Sequence, residues 1–206
     1  MIAYASRTGT RRNLDGLRAA GWRLMVSARG ALRPEGFPYA LDNGAWTAFQ
    51  KKEPFNVPAF EKALVKLGAD ADFTVVPDIV AGGGASLDFS LSWLRRVQDA
   101  SPNVLIPVQD GMVISDVEHL LGDQVGIFIG GGDVFKLTTM DAWCELGRRR
   151  GCWVHVGRVN SAKRIKQCAM AGATSFDGSS ASRYAVTLPR LNDANRQQAL
   201  KLWRDE

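Results

Sequence analysis

The stretch Val104-Leu105-Ile106-Pro107-Val108-Gln109-Asp110-Gly111 is an apolar run that stops at an amide, an acid and a glycine. A second run, Val125-Gly126-Ile127-Phe128-Ile129, stops at Gly130-Gly131-Gly132, and the residues between the two have room only for a short helix. Strand, crossover helix and strand make the βαβ unit of a parallel sheet. The same pattern recurs on both sides: Tyr39-Ala40-Leu41 ends in Asp42, Phe73-Thr74-Val75-Val76-Pro77 in Asp78, and Ser175-Phe176 in Asp177. In parallel α/β proteins the C-terminal strand ends gather on one face, where sites form. Five such ends in succession predict a shared pocket.

Extended outward, the alternation predicts strands over 2–5, 23–27, 39–41, 73–76, 104–108, 125–129, 153–156 and 174–176. It predicts helices over 13–20, 58–67, 87–100, 115–121, 138–150, 161–171 and 192–203. Asn13 and Ser86 read as N-caps, Pro58 as a first-turn proline, and Gly21, Gly68 and Gly172 as stops. Eight strands with crossover helices predict a compact α/β fold, a (β/α)8 barrel of the TIM type, as one domain over 1–206. One βα unit is reduced, because 29–38 is too rich in glycine and proline for a helix. The competing arrangement is an open doubly wound sheet.

Composition narrows the class. No apolar run approaches the roughly 20 residues that span a bilayer, and the first residues lack the basic and apolar regions of a signal peptide. Cys144, Cys152 and Cys168 are three in number and lack Cys-x-x-Cys spacing, so they read as reduced thiols in a cytoplasmic protein with no metal site. The net charge is +5, and Arg7, Arg11, Arg12, Arg18, Arg23, Arg29 and Arg33 crowd the first segment. These read either as solvated faces or as the electrostatic footprint of a polyanion, with nucleic acid favoured over a membrane surface.

Each strand end has a chemical and a structural reading. Asp42-Asn43-Gly44 can shuttle a proton and bond a purine-like ring, or can simply be a turn. Trp46 beside it can stack on a base. Asp78 is a second carboxylate or a loop-stabilising acid, and the Gly82-Gly83-Gly84 after it lacks the Lys-Ser/Thr of a P-loop. Gln109 both donates and accepts, or caps a turn. Gly130 and Gly131 let a flat ligand approach the backbone, or form a phosphate-binding loop. Asp177 can attack an anomeric carbon as a nucleophile, with Ser179, Ser180 and Arg183 suited to a flanking phosphate. Alternatively, Asp177 and Arg183 form a structural ion pair. His155 reads as a core or pocket-wall residue, and His119 as a surface one.

Taken in order, these motifs resemble the tRNA-guanine transglycosylase superfamily. Leu41-Asp42-Asn43-Gly44-Ala45-Trp46 is similar to the family's Thr-Asp-Ser-Gly-Gly-Phe, and Val108-Gln109-Asp110-Gly111 to its Val-Gln-Gly-Gly. Ile129-Gly130-Gly131 resembles Ile-Gly-Gly, and Ser175-Phe176-Asp177 the Phe-Asp that carries the nucleophile. The resemblance implies that Asp177 attacks C1′ of a guanosine and that an incoming 7-deazaguanine (preQ0-like) base resolves the covalent intermediate, without a cofactor. It implies that Asp42 handles the proton, that Asp78 and Gln109 read the purine edge, and that Gly130 and Gly131 supply backbone contacts.

The family's tRNA enzymes carry a zinc subdomain after the nucleophile, whereas the 29 residues beyond Asp177 contain no cysteine. Asn43 and Trp46 also replace the family's Ser and Phe. These departures resemble the phage and bacterial branch that modifies DNA, which makes DNA the expected partner and tRNA the alternative. Other readings are a hydrolytic base glycosidase, a barrel acting on a sugar phosphate, and, least favoured, a non-catalytic nucleic-acid-binding module.

Overall fold

The computed structural model describes residues 1–202 apart from Gly9 and Tyr184. Eight strands close into a barrel in chain order: β1 (Ile2–Ser6), β2 (Arg23–Ser27), β3 (Tyr39–Asp42), β4 (Thr74–Val75), β5 (Val104–Val108), β6 (Val125–Ile129), β7 (Val154–Val156) and β8 (Ser175–Gly178). All eight neighbouring pairs are parallel. β8 returns to β1 in the register Ile2↔Ser175 to Ala5↔Gly178. That closure removes both sheet edges, and with them the open-sheet alternative.

Helices α1 (Arg11–Ala19), α2 (Ala45–Gln50), α3 (Val57–Leu67), α4 (Gly84–Gln98), α5 (Ile114–Val117), α6 (Asp133–Arg150), α7 (Ala162–Ala171), α8 (Ser180–Arg183) and α9 (Leu188–Leu202) accompany the strands. Between β2 and β3 there is only a turn-rich loop, as the glycines and prolines of 29–38 predict. The period-two alternation of the strands sorts their side chains. Leu24, Val26, Leu41, Ile106, Ile127 and Phe176 face outward into the cluster that packs under the helices. Tyr4, Met25, Ala40, Phe73, Val75 and Leu105 face inward and plug the barrel. Below them, Asp72 accepts from the Tyr4 hydroxyl at 2.8 Å and pairs with Arg23 at 2.8 Å, closing the floor with a satisfied polar group.

Several element ends differ from the expectation. α1 starts at Arg11, and Asn13 does not cap it, because its amide donates instead to the Ser182 carbonyl at 2.7 Å. α4 starts at Gly84 with Gly83 as its N-cap, while the Ser86 hydroxyl accepts from the Ile79 N–H at 3.0 Å. α5 is one turn over Ile114–Val117 followed by a 3₁₀ turn. α6 begins at Asp133 rather than 138, adding a turn whose Phe135 and Lys136 are buried. α9 begins at Leu188, with Pro189 in its first turn. Trp203, the predicted end of the last helix, lies outside the described residues. α2 was not expected, since Asp42-Asn43-Gly44 reads locally as a turn.

Candidate active site

The C-terminal strand ends open into one cleft of about 1070 Å³. Asp42, Asp78, Gln109, Gly130, Gly131 and Asp177 all line it, and so do Asn43, Trp46, Ser179 and Arg183. Ser180 does not. Its N–H donates to Asn160 Oδ1 at 2.9 Å and its carbonyl accepts from the Thr187 hydroxyl at 2.7 Å, so it serves the turn into α8. The volume lies above the roughly 300–1,000 Å³ of small-molecule pockets.

The β3 end is a turn and a wall of the cleft at once. Asp42 Oδ2 accepts from the Gly44 N–H at 3.2 Å, and Asn43 Oδ1 accepts from the Ala45 N–H at 2.8 Å. Gly44 sits at φ +81°, where an added Cβ would lie 2.6 Å from Arg29 Cγ, so only glycine lets the chain turn directly into α2. The Asn43 amide donates to the Val76 carbonyl and to Asp78 Oδ1, both at 2.8 Å. Asn43 is buried, and these bonds use its amide to tie Asp78 to the β3 end.

Burial pushes the Asp42 carboxyl up to about 6, against the pull of the Ser27 hydroxyl and helped by the charges of Asp177 and Asp78. Burial likewise pushes Asp78 up to about 6, opposed by the Asn43 amide. Both hold a proton far closer to neutrality than an exposed aspartate does.

Gln109 is almost fully buried, and its amide is committed to the protein. Its Oε1 accepts from the Ala81 N–H at 2.7 Å, and its Nε2 donates to the Ile79 carbonyl at 2.9 Å and to Ser86 Oγ at 2.6 Å. It therefore pins the loop after Asp78. Asp110 does comparable work on the next loop: its carboxylate accepts from the Gly132 N–H at 2.6 Å. Gly131 stands at φ +68°, where a Cβ would meet Asp110 Oδ2 at 2.7 Å. The Gly130 N–H donates to the Val108 carbonyl at 2.9 Å, and the Gly131 carbonyl accepts from the Arg158 guanidinium.

Asp177 points into the cleft from β8 with 14% of its side chain exposed. Its Oδ1 sits 3.2 Å from His155 Nε2 and accepts from the Arg158 N–H at 3.1 Å. The ion pairs among the described residues do not include Asp177 with Arg183, which argues against the structural reading of that acid. Arg158 carries no motif that singles it out in the sequence. Its backbone adopts φ +60°, unusual for a non-glycine residue, and its guanidinium lies 4.1 Å over the Trp46 ring. The loop after β7 thus supplies one backbone donor to Asp177 and one cation to the rim. His155 is fully buried and does not line the cleft, so of the core and pocket-wall placements its strand position suggests, it takes the core.

The rim joins aromatic and basic groups. α2 raises Trp46 and Phe49 at its edge, both exposed, with rings stacked at 5.6 Å. Arg7, Arg158 and Arg183 line the mouth. Most of the other N-terminal arginines are neutralised locally: Arg23 pairs with Asp72, Arg29 with Glu53, Arg33 with Glu35, and Arg18 with Asp15. Arg7 pairs with Glu35 as well. The positive rim therefore rests on Arg158 and Arg183, neither of which enters an ion pair with an acid among the described residues.

Among the described residues, no group of three or more His, Cys, Asp or Glu side chains is arranged to hold a metal ion, and no helix is long and apolar enough to cross a membrane. Compared with protein-family models and with curated proteins, the chain finds no match in either.

Proposed function

We propose that the chain is a DNA-guanine transglycosylase, exchanging guanine for a 7-deazaguanine base through a glycosyl ester on Asp177. One observation carries this reading. A carboxylate fastened by donors on one oxygen shares its cleft with two carboxyls, Asp42 and Asp78, that keep a proton to about pH 6. Carboxyl groups whose environments differ in this way divide into nucleophile and proton carrier.

In the first step the free oxygen of Asp177 bonds to C1′ as the bond from C1′ to the base nitrogen breaks. The electron pair of that bond leaves with guanine, which takes a proton from Asp42 or Asp78. In the second step the incoming base gives up a proton to the same carboxylate and attacks C1′, and the ester bond's electron pair returns to Asp177. One N-glycosidic bond replaces another, so no oxidant or energy source enters. The rim supports a polymer as substrate: Trp46 and Phe49 offer faces for unstacked bases, and Arg158 and Arg183 offer charge to phosphates. A guanine in duplex DNA has to leave the stack to reach Asp177. DNA is assigned over tRNA from the resemblance to the DNA-modifying branch.

The test is nucleoside mass spectrometry after incubating DNA, or tRNA in a parallel arm, with protein and a 7-deazaguanine base. Incorporation that disappears in Asp177→Ala supports exchange. Free guanine released without incorporation makes the chain a hydrolytic glycosidase, and full activity in Asp177→Ala removes that residue as nucleophile.

A further inference from the structure

A line of hydrogen bonds runs through the barrel interior beneath Asp177, along the facing sides of β7 and β8. Trp153 Nε1 lies 2.7 Å from Ser175 Oγ, Ser175 Oγ lies 2.8 Å from His155 Nδ1, and His155 Nε2 lies 3.2 Å from Asp177 Oδ1. Ser175 and His155 have no exposed surface. The rings of Tyr4, Phe73 and Phe128 surround the imidazole at 5.7, 5.1 and 5.0 Å, Phe128 nearly parallel to it.

Counting protons along this line decides which nitrogen carries hydrogen. An indole N–H can only donate, so Trp153 fills one lone pair of Ser175 Oγ. The hydroxyl proton of Ser175 then has His155 Nδ1 as its acceptor. If Nδ1 carried a hydrogen, two donors would converge on Ser175 while its own O–H stood buried without an acceptor, at a cost comparable to a lost hydrogen bond. Nδ1 is therefore the acceptor, and the ring proton sits on Nε2, facing Asp177.

We propose that Trp153, Ser175 and His155 form a positioning relay that locks the Nε2–H tautomer of His155 and so selects the reactive oxygen of Asp177. This rests on Asp177 being the nucleophile. Oδ1 accepts from His155 Nε2–H and from the Arg158 N–H, which leaves Oδ2 to meet C1′. When Oδ2 forms the ester, Oδ1 becomes its carbonyl oxygen and keeps both donors. When the ester opens, the same donors stabilise the returning charge.

Two experiments on the full chain test this. His119 and His155 are the only histidines, so ¹⁵N-histidine NMR assigns both rings with one variant. The wild-type spectrum should show His155 with a bare Nδ1 and a protonated Nε2, and Ser175→Ala should mix the tautomers. A ring protonated at Nδ1, or at both nitrogens, at neutral pH overturns the relay. In the base-exchange assay, Ser175→Ala should lower kcat about two- to tenfold with KM unchanged, the loss of one hydrogen bond between neutral groups that orients the imidazole toward Asp177. His155→Gln, whose amide nitrogen falls near the imidazole Nε2, should keep kcat within about tenfold, while His155→Asn, too short to reach Asp177, should not. Equal losses in Gln and Asn variants that melt like the wild type overturn the relay. A wild-type protein that exchanges no base yet shows the Nε2–H ring leaves the lock standing and removes the exchange reading instead.

Discussion

Asp42→Asn should stabilise this protein at alkaline pH. The Asp42 carboxyl is raised from its ordinary 3.8 to about 6, first by burial and then by the neighbouring charges of Asp177 and Asp78. The folded state thus holds this proton more tightly than the unfolded chain does. Stability falls as pH rises from about 4 to about 6, and stays lowered above that range. Ionising the group in the fold costs about 3 kcal/mol at pH 8, and about 1 kcal/mol is already lost by pH 4.5. Water reaching the part-exposed side chain trims the pH 8 figure to about 1–3 kcal/mol. The Asn carbonyl can still accept from the Gly44 N–H, so the turn into α2 survives the change. For a chain of this length the melting temperature should rise by about 2–10 °C at pH 8 and by a third of that or less at pH 4.5. Thermal denaturation followed by circular dichroism at the two pH values reads both numbers. An Asp42→Asn protein that melts at or below the wild-type temperature at pH 8, or that gains equally at both, would refute the account of this carboxyl.

Because Asp42 and Asp78 hold their protons to about 6, kcat/KM for base exchange should fall above about pH 6; a profile flat from pH 5 to 8 would remove both as the acid. Gln109→Ala breaks the three bonds that hold the loop after Asp78 and should lower stability by about 1–3 kcal/mol in denaturant titrations. Its kcat should fall as well, although Gln109 itself faces the loop. Arg158→Ala should weaken DNA binding at every sequence and reduce the slope of log affinity against log salt by about one, read by fluorescence anisotropy. Trp46→Ala, which removes a stacking face, should weaken binding by about 1–3 kcal/mol with the salt slope unchanged.

The strands were legible because their residues repeat with a period of two and stop at acids, amides and glycines. β2, β5 and β6 fall on the residues expected from the sequence. The turn-rich passage between β2 and β3 was legible for a similar local reason, its glycines and prolines. α2 was not, because a turn sequence and a helix entry look alike until Gly44 takes a left-handed backbone beside Arg29. The early starts of α6 and α9 were missed for a related reason. Their first turns are held by packing onto the barrel, which outweighs weak local propensity.

Within the cleft, the types of group at the strand ends were readable from the sequence; their partners were not. Asn43 and Gln109 looked like ligand-reading amides, yet their bonds run to Asp78 and to the loop at 79–81. Arg158 looked like one of several basic residues until the end of β7 brought its N–H to Asp177 and its side chain to Trp46.

Sequence alone determined that acids and glycines would follow strands and that those strands would be parallel. Alternation and punctuation are local properties, carried by neighbouring residues. The tertiary structure bears out the expected barrel, with β8 closing on β1 and bringing Asp177 into one cleft with Asp42 and Asp78. Tertiary structure alone decided their electrostatics, because burial and neighbouring charge arise only when residues far apart in the sequence share one low-dielectric pocket.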